Sequence, residues 1–175
     1  MRNVVFILCM LLLVACGKNS GPQRPSRWLG KTLWVDTTEL NLMQLNQRLA
    51  TEADAELMQY VQQQEESYAL YRSSAWVHII ETGNIDREPY TYGQMCLLHM
   101  RIYAVNKKKM LLSDVYQSFK VDPSQLPGAV VDVVRELHPG AQARIIAPWY
   151  AAYGMKGNAQ IPPYQNVIIE LTIEE

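Results

Sequence analysis

The sequence predicts an α+β domain, an antiparallel sheet wrapped around one short helix, with a small helical segment ahead of it. Three observations carry this expectation. From Ala75 the pattern changes to strands, the first of them, Ala75 to Thr82, alternating with period two. Between Pro127-Gly128 and His138-Pro139-Gly140, Val130, Val131, Val134 and Leu137 instead follow helical spacing. Upstream, Leu42, Leu45 and Leu49 recur in the same helical period. The chain has 175 residues, enough for one ordinary domain plus a small appendage. With 49% hydrophobic and 19% charged residues it has the composition of a folded protein. Its formal net charge of −1 leaves no basic footprint, so nucleic acid is not an expected partner.

The first element is an export signal. Arg2 supplies a short positive region, and Val4 to Val14 form an apolar run broken only by Cys9. A bilayer-spanning helix needs about 20 apolar residues, so this run suits the core of a signal peptide. It closes in Leu13-Val14-Ala15-Cys16-Gly17, which resembles the lipobox of bacterial lipoproteins. That resemblance implies a signal peptide over 1–15 and lipidation of Cys16, which becomes the new N-terminus. The alternative is a plain signal peptide cut after Ala15. Residues 16–36 then read as anchor and linker, since Gly17 to Arg27 is rich in Gly, Pro, Ser and basic residues without apolar period. Cys9 leaves with the signal and Cys16 carries the lipid. Cys96 is then alone, and reads as a small buried hydrophobe in a strand.

A helical extension is expected over 37–70. Asp36-Thr37-Thr38-Glu39 has the form of a capping box, and Thr51 to Asp54 that of a second cap. Thr37 to about Ser67 is therefore a helical pair or one kinked helix, with Leu57, Met58 and Val61 on one face of its second half. So short a segment holds no core of its own. It must pack on the main domain or on a second copy of itself. Leu42, Leu45, Leu49 and Val61 are the expected seam of a homodimer.

The domain proper is expected over 71–175. Ala75 to Thr82 is a strand stopped by Gly83-Asn84, and Gln94 to Val105 a longer one behind Tyr92-Gly93. Asn106 to Lys109 is a basic hairpin turn leading into Met110-Leu111-Leu112, its lysines solvated. After the short helix, Gln142 to Ala147 and Asn166 to Ile173 are the closing strands.

Familiar catalytic constellations are absent: no G-x-S-x-G, no H-E-x-x-H, no paired C-x-x-C and no phosphate-binding glycine loop. His78 and His99 could face each other across paired strands, where structural histidines are commoner than metal ligands. No metal site is expected. Any chemistry here must need neither nucleophile nor cofactor.

The last third of the chain points to one. Gly140-Ala141-Gln142-Ala143-Arg144-Ile145-Ile146-Ala147-Pro148, then Ala152-Tyr153-Gly154, Ile161-Pro162-Pro163 and Val167-Ile168-Ile169-Glu170-Leu171 closely resemble the C-terminal half of FKBP-type peptidyl-prolyl isomerases. The resemblance covers roughly the last hundred residues, with Gln125-Leu126-Pro127-Gly128 similar to the start of the family's helix. The upstream segment is similar to the N-terminal extensions of bacterial secreted members. It implies an FKBP-like fold and cis-trans isomerisation of X-Pro bonds in polypeptide substrates without a cofactor, assisting the folding of exported proteins. Tyr153 resembles the tyrosine whose hydroxyl bonds a ligand carbonyl, Ile161 the pocket isoleucine, and Phe119 the aromatic in the strand before the helix; these three are the implied catalytic residues. Leu126 resembles the aliphatic just before the helix turn. Ala129 stands where the family has a tryptophan floor, Met100 where it has a tyrosine, and Ile169 where it has a phenylalanine. The usual Phe-Asp pair falls near Met110-Leu111, without a carboxylate. Leu126, Ala129, Met100, Met110 and Ile169 are thus the implied substrate-binding set, apolar but less aromatic than usual. Two other readings stay open: a catalytically weak or inactive binding module or chaperone on the same fold, and a structural envelope lipoprotein acting through its helices. The absence of an acidic retention signal after Cys16 favours an outer-membrane anchor facing the periplasm.

Overall fold

A computed structural model describes residues 42–105 and 110–175. The signal peptide, Cys16, the linker, the Asp36-Glu39 cap and the Asn106–Lys109 turn lie outside the described residues.

The first described element is a single uninterrupted helix, α1 (Leu42–Gln62). No cap interrupts it at Thr51 to Asp54, which corrects the expectation of a helical pair. The residue types that start helices are here used inside one. Thr51 Oγ1 donates to the Gln47 carbonyl one turn back (3.0 Å), and Arg48 pairs with Glu52 at i,i+4 (2.9 Å).

After a two-residue β1 (Ala69–Leu70) come β2 (Trp76–Glu81), β3 (Met95–Ala104) and β4 (Met110–Lys120). The short helix α2 (Gly128–Val134) follows, then β5 (Gln142–Ala147), a 3-10 turn (Trp149–Ala151) and β6 (Val167–Ile173). The six strands form one antiparallel sheet in the order β1-β2-β5-β6-β3-β4. The fold is therefore α+β and FKBP-like, as expected. The order also corrects the histidine pair: β5 and β6 lie between β2 and β3, so His78 and His99 do not face each other. His78 instead bonds the Ser67 carbonyl (2.9 Å) and His99 bonds Asp114 (3.3 Å).

Strand alternation gives the sheet two apolar clusters, one on each face. On one, Val77, Leu98, Met100, Ile102, Ala143, Ile145, Ile169 and Leu171 meet Ala129, Val130, Val131, Val133 and Val134 of α2. All five of these helix residues are buried, so α2 is the internal helix that the sheet curves around. Cys96 belongs to this cluster too. Its thiol donates to the Phe119 carbonyl (3.5 Å), and burial pushes its pKa up to about 11, so it is a core residue and not a nucleophile. On the opposite face, Leu57 of α1 sits in a smaller cluster with Val105, Ile146 and Ile168, flanked by Tyr60, Val61, Tyr68, Trp76 and Tyr103. Through this cluster α1 packs on the main domain. Val61, one of the four expected seam residues, is used in that contact, whereas Leu42 is 74% exposed.

Gly83 ends β2 with a left-handed backbone (φ +80°). A Cβ there would collide with the His138 and Pro139 carbonyls, so only glycine lets the β2 end pass beneath the exit of α2.

Candidate functional site

The implied pocket residues arrive from six different places. Met100 comes from β3 and Ile169 from β6, neighbouring strands whose register places Ile102 opposite Ile169 and Met100 opposite Leu171. Phe119 comes from the end of β4, opposite Cys96. Leu126 is delivered by a tight turn in which Asp122 Oδ1 accepts the Ser124 N–H (2.7 Å) and the Asp122 carbonyl accepts the Leu126 N–H (3.0 Å). The bond from the Ser124 backbone, then that from its side chain, holds the Asp122 carboxyl below its ordinary pKa. Ala129 lies in the first turn of α2.

Tyr153 and Ile161 stand on the loop between β5 and β6, and this loop is knit by its own hydrogen bonds. The Gly154 N–H donates to the Trp149 carbonyl (2.7 Å), and the Gly157 N–H to the Tyr153 carbonyl (3.2 Å). Asn158 Oδ1 accepts from both Gln160 and Ile161 N–H groups (2.9 and 2.7 Å), while the Asn158 N–H returns to the Ile161 carbonyl (2.9 Å). Gly157 must be glycine, because its backbone is left-handed (φ +62°) and a Cβ would run into the Ile161 carbonyl and Pro162. The effect is to hold Ile161 inward, with no exposed surface.

Seven of the eight implied residues share one apolar cluster. Met100, Leu126, Ala129, Ile161 and Ile169 are buried members of it, and Phe119 and Tyr153 are half-buried against it. Met110 is not brought in. It is 44% exposed and opposite Tyr103, and its neighbours Leu111 and Leu112 pack on the cluster in its place. The cause is a register shift in β4: Ile102 faces Leu112 and Tyr103 faces Met110, leaving Leu111 as an extra residue. Bulges of this kind give no period signal in a sequence. Tyr71, Tyr90, Val115 and Ala152 are further half-buried residues on the same cluster. Of these, Val115 was legible only once the length of β4 was known.

Tyr153 combines two properties. Burial raises its phenol to about 12, and among the described residues its hydroxyl has no hydrogen-bond partner. It stays a protonated donor across the neutral range, at the edge of an apolar surface. Among the described residues no group of His, Cys, Asp and Glu could hold a metal ion.

No family profile matches the chain, and no curated protein gives a significant match. Solved structures do. FkpA from Escherichia coli is similar with a TM-score of 0.60 at 15% identity, over 78% of this chain and 73% of that one. A peptidyl-prolyl cis-trans isomerase from Pseudomonas syringae pv. tomato DC3000 gives 0.61 at 12% identity, over 74% and 94%. The N-terminal domain of FKBP42 from Arabidopsis thaliana gives 0.52 at 19% identity, over 63% and 92%. These likenesses establish the class of fold, that of the FKBP-type isomerases. At such identities they speak for the fold alone.

Proposed function

We propose that this chain is a peptidyl-prolyl cis-trans isomerase that assists the folding of exported proteins, tethered to a bacterial membrane through Cys16. The observation that carries the reading is Tyr153, a desolvated phenol without a hydrogen-bond partner among the described residues, on the same apolar cluster as Phe119, Leu126 and Ile161. An X-Pro bond is held planar by amide resonance, with a barrier of about 18–20 kcal/mol. Twisting it removes the delocalised charge, so the twisted amide needs water less than the planar one. An apolar surface that takes the proline ring therefore favours the twisted form, which is differential binding of the transition state. The Tyr153 O–H would hold a flanking carbonyl and fix the orientation. No step requires an acid, a nucleophile or a metal.

The test is isomerisation by the purified protein on peptides varying the residue before proline. Tyr153→Phe is expected to lower kcat/KM by about tenfold, the worth of one hydrogen bond in a dry site. Full activity in that variant would remove Tyr153 from the mechanism. A second reading, a binding module or chaperone without turnover, is supported by a different observation: Ala129, Ile161 and Ile169 have no exposed surface, so the floor under any bound ring is sealed. It predicts peptide binding with no catalysis from a well-folded sample.

The seam proposed for a homodimer shortens to Leu42, Leu45 and Leu49, since Val61 serves the domain itself. The lipid anchor and an outer-membrane location facing the periplasm belong to the same proposal, and rest on the sequence around Cys16.

A further inference from the structure

The loop that carries Tyr153 and Ile161 is held from outside as well as from within, and the holding groups come from the helical extension. Three polar contacts reach from α1 to this loop and its exit. The Tyr164 hydroxyl donates to Asn46 Oδ1 (3.2 Å), the Tyr150 hydroxyl donates to Asp54 Oδ1, and Asn166 Nδ2 donates to Glu56 Oε2 (2.8 Å). Asn166 is the one buried polar side chain among the described residues, 6% exposed. Its other end, Oδ1, accepts the Trp149 N–H (2.9 Å). Trp149 begins the 3-10 turn, and its carbonyl accepts the Ala152 and Gly154 N–H groups that flank Tyr153 (3.2 and 2.7 Å). A continuous relay therefore runs Glu56, Asn166, Trp149, Gly154, ending one residue from the phenol.

The relay has only one workable polarity. A backbone N–H requires an oxygen at Asn166, and the Glu56 carboxylate requires an NH2, so the two ends of the amide are each fixed by their partner. A buried amide satisfied at both ends resists rotation, because turning it would leave two buried polar groups unpaired. We propose that Asn166 and Glu56 are positioning residues for Tyr153, so that the extension helix is a working part of the site and not an appendage. The inference rests on the isomerase reading only for its catalytic readout.

The test exploits the polarity. Asn166→Asp keeps an acceptor for Trp149 but sets a carboxylate against Glu56. In the full-length protein at neutral pH this variant is expected to speed hydrogen exchange at the Trp149, Ala152 and Gly154 amides by about tenfold. Core amides of β5 and β6 keep wild-type exchange, and kcat/KM on proline peptides falls about tenfold as well. The double variant Asn166→Asp with Glu56→Gln should restore both, since the glutamine NH2 can then donate to the new carboxylate. If Asn166→Asp does not fold, Glu56→Ala on the exposed helix surface removes the acceptor and is read in the same way. Unchanged exchange at the three loop amides, or no restoration in the double variant, would overturn the proposal. Silence of the wild-type enzyme would count against the isomerase reading alone, with exchange and its restoration still deciding the relay.

Discussion

At the scale of the residue, Tyr153 and Cys96 illustrate how burial fixes chemistry. Both are desolvated and both keep their protons, at pKa values of about 12 and about 11. For Tyr153 the folded value lies above the unfolded one of about 10. Between those two values the unfolded chain releases the proton and the folded chain keeps it, so stability falls as pH rises from about 10 to about 12. Below about pH 10 the contribution is intact. Two outcomes follow. The kcat/KM profile should show no ionisation from Tyr153 between about pH 6 and 9, and denaturant midpoints should show a decline above about pH 10 that is weaker in Tyr153→Phe. A decline of equal size in both proteins would assign it to other groups. The motif around Tyr153 was legible because the triplet and its spacing to Ile161-Pro162-Pro163 are carried by consecutive residues. That its hydroxyl finds no partner among the described residues was not, since that depends on segments distant in sequence.

At the scale of the element, α1 is the informative case. Its apolar period was plain in the sequence, and so was its need of a partner surface. What misled was Thr51 to Asp54, where Thr and Asp suggested a start. Short polar side chains choose between capping a helix and bonding back to the previous turn according to the chain around them. Here Leu57 and Val61 are packed on the sheet beyond that point, and tertiary contact carries the helix through. Leu57 is 1% exposed, and Leu57→Ala is expected to cost about 3 kcal/mol in urea unfolding, with α1 loosened from the sheet. A cost under about 1 kcal/mol would mean that the polar contacts of Asn46, Asp54 and Glu56 hold the helix instead. β4 shows the opposite limit. Only Met110 to Leu112 and Phe119 were picked out, because the intervening Ser113-Asp114 and Gln117-Ser118 carry no apolar signal. The strand is defined by pairing with β3, a long-range fact.

For the whole molecule, strands β2, β3, β5 and β6 were legible within a residue or two, since each carries its own period; the internal helix was legible at its start, but it stops at Val134, short of the expected end at His138. Their order was not. Nothing local tells that β5 and β6 are inserted between β2 and β3, and the separation of His78 from His99 follows entirely from that order. The same topology gathers seven implied pocket residues from six places along the chain, while one bulge in β4 turns Met110 away. The proposed isomerase activity requires that this gathered surface receive a proline-containing segment. Titration of the 15N-labelled protein with a short X-Pro peptide tests it most directly. The expected result is saturable shifts of the amides around Tyr153, Phe119, Leu126 and Ile161, weakened in Tyr153→Phe and in Ile161→Ala. Shifts confined to the opposite face of the sheet, or none from a well-folded sample at millimolar peptide, would contradict the claim.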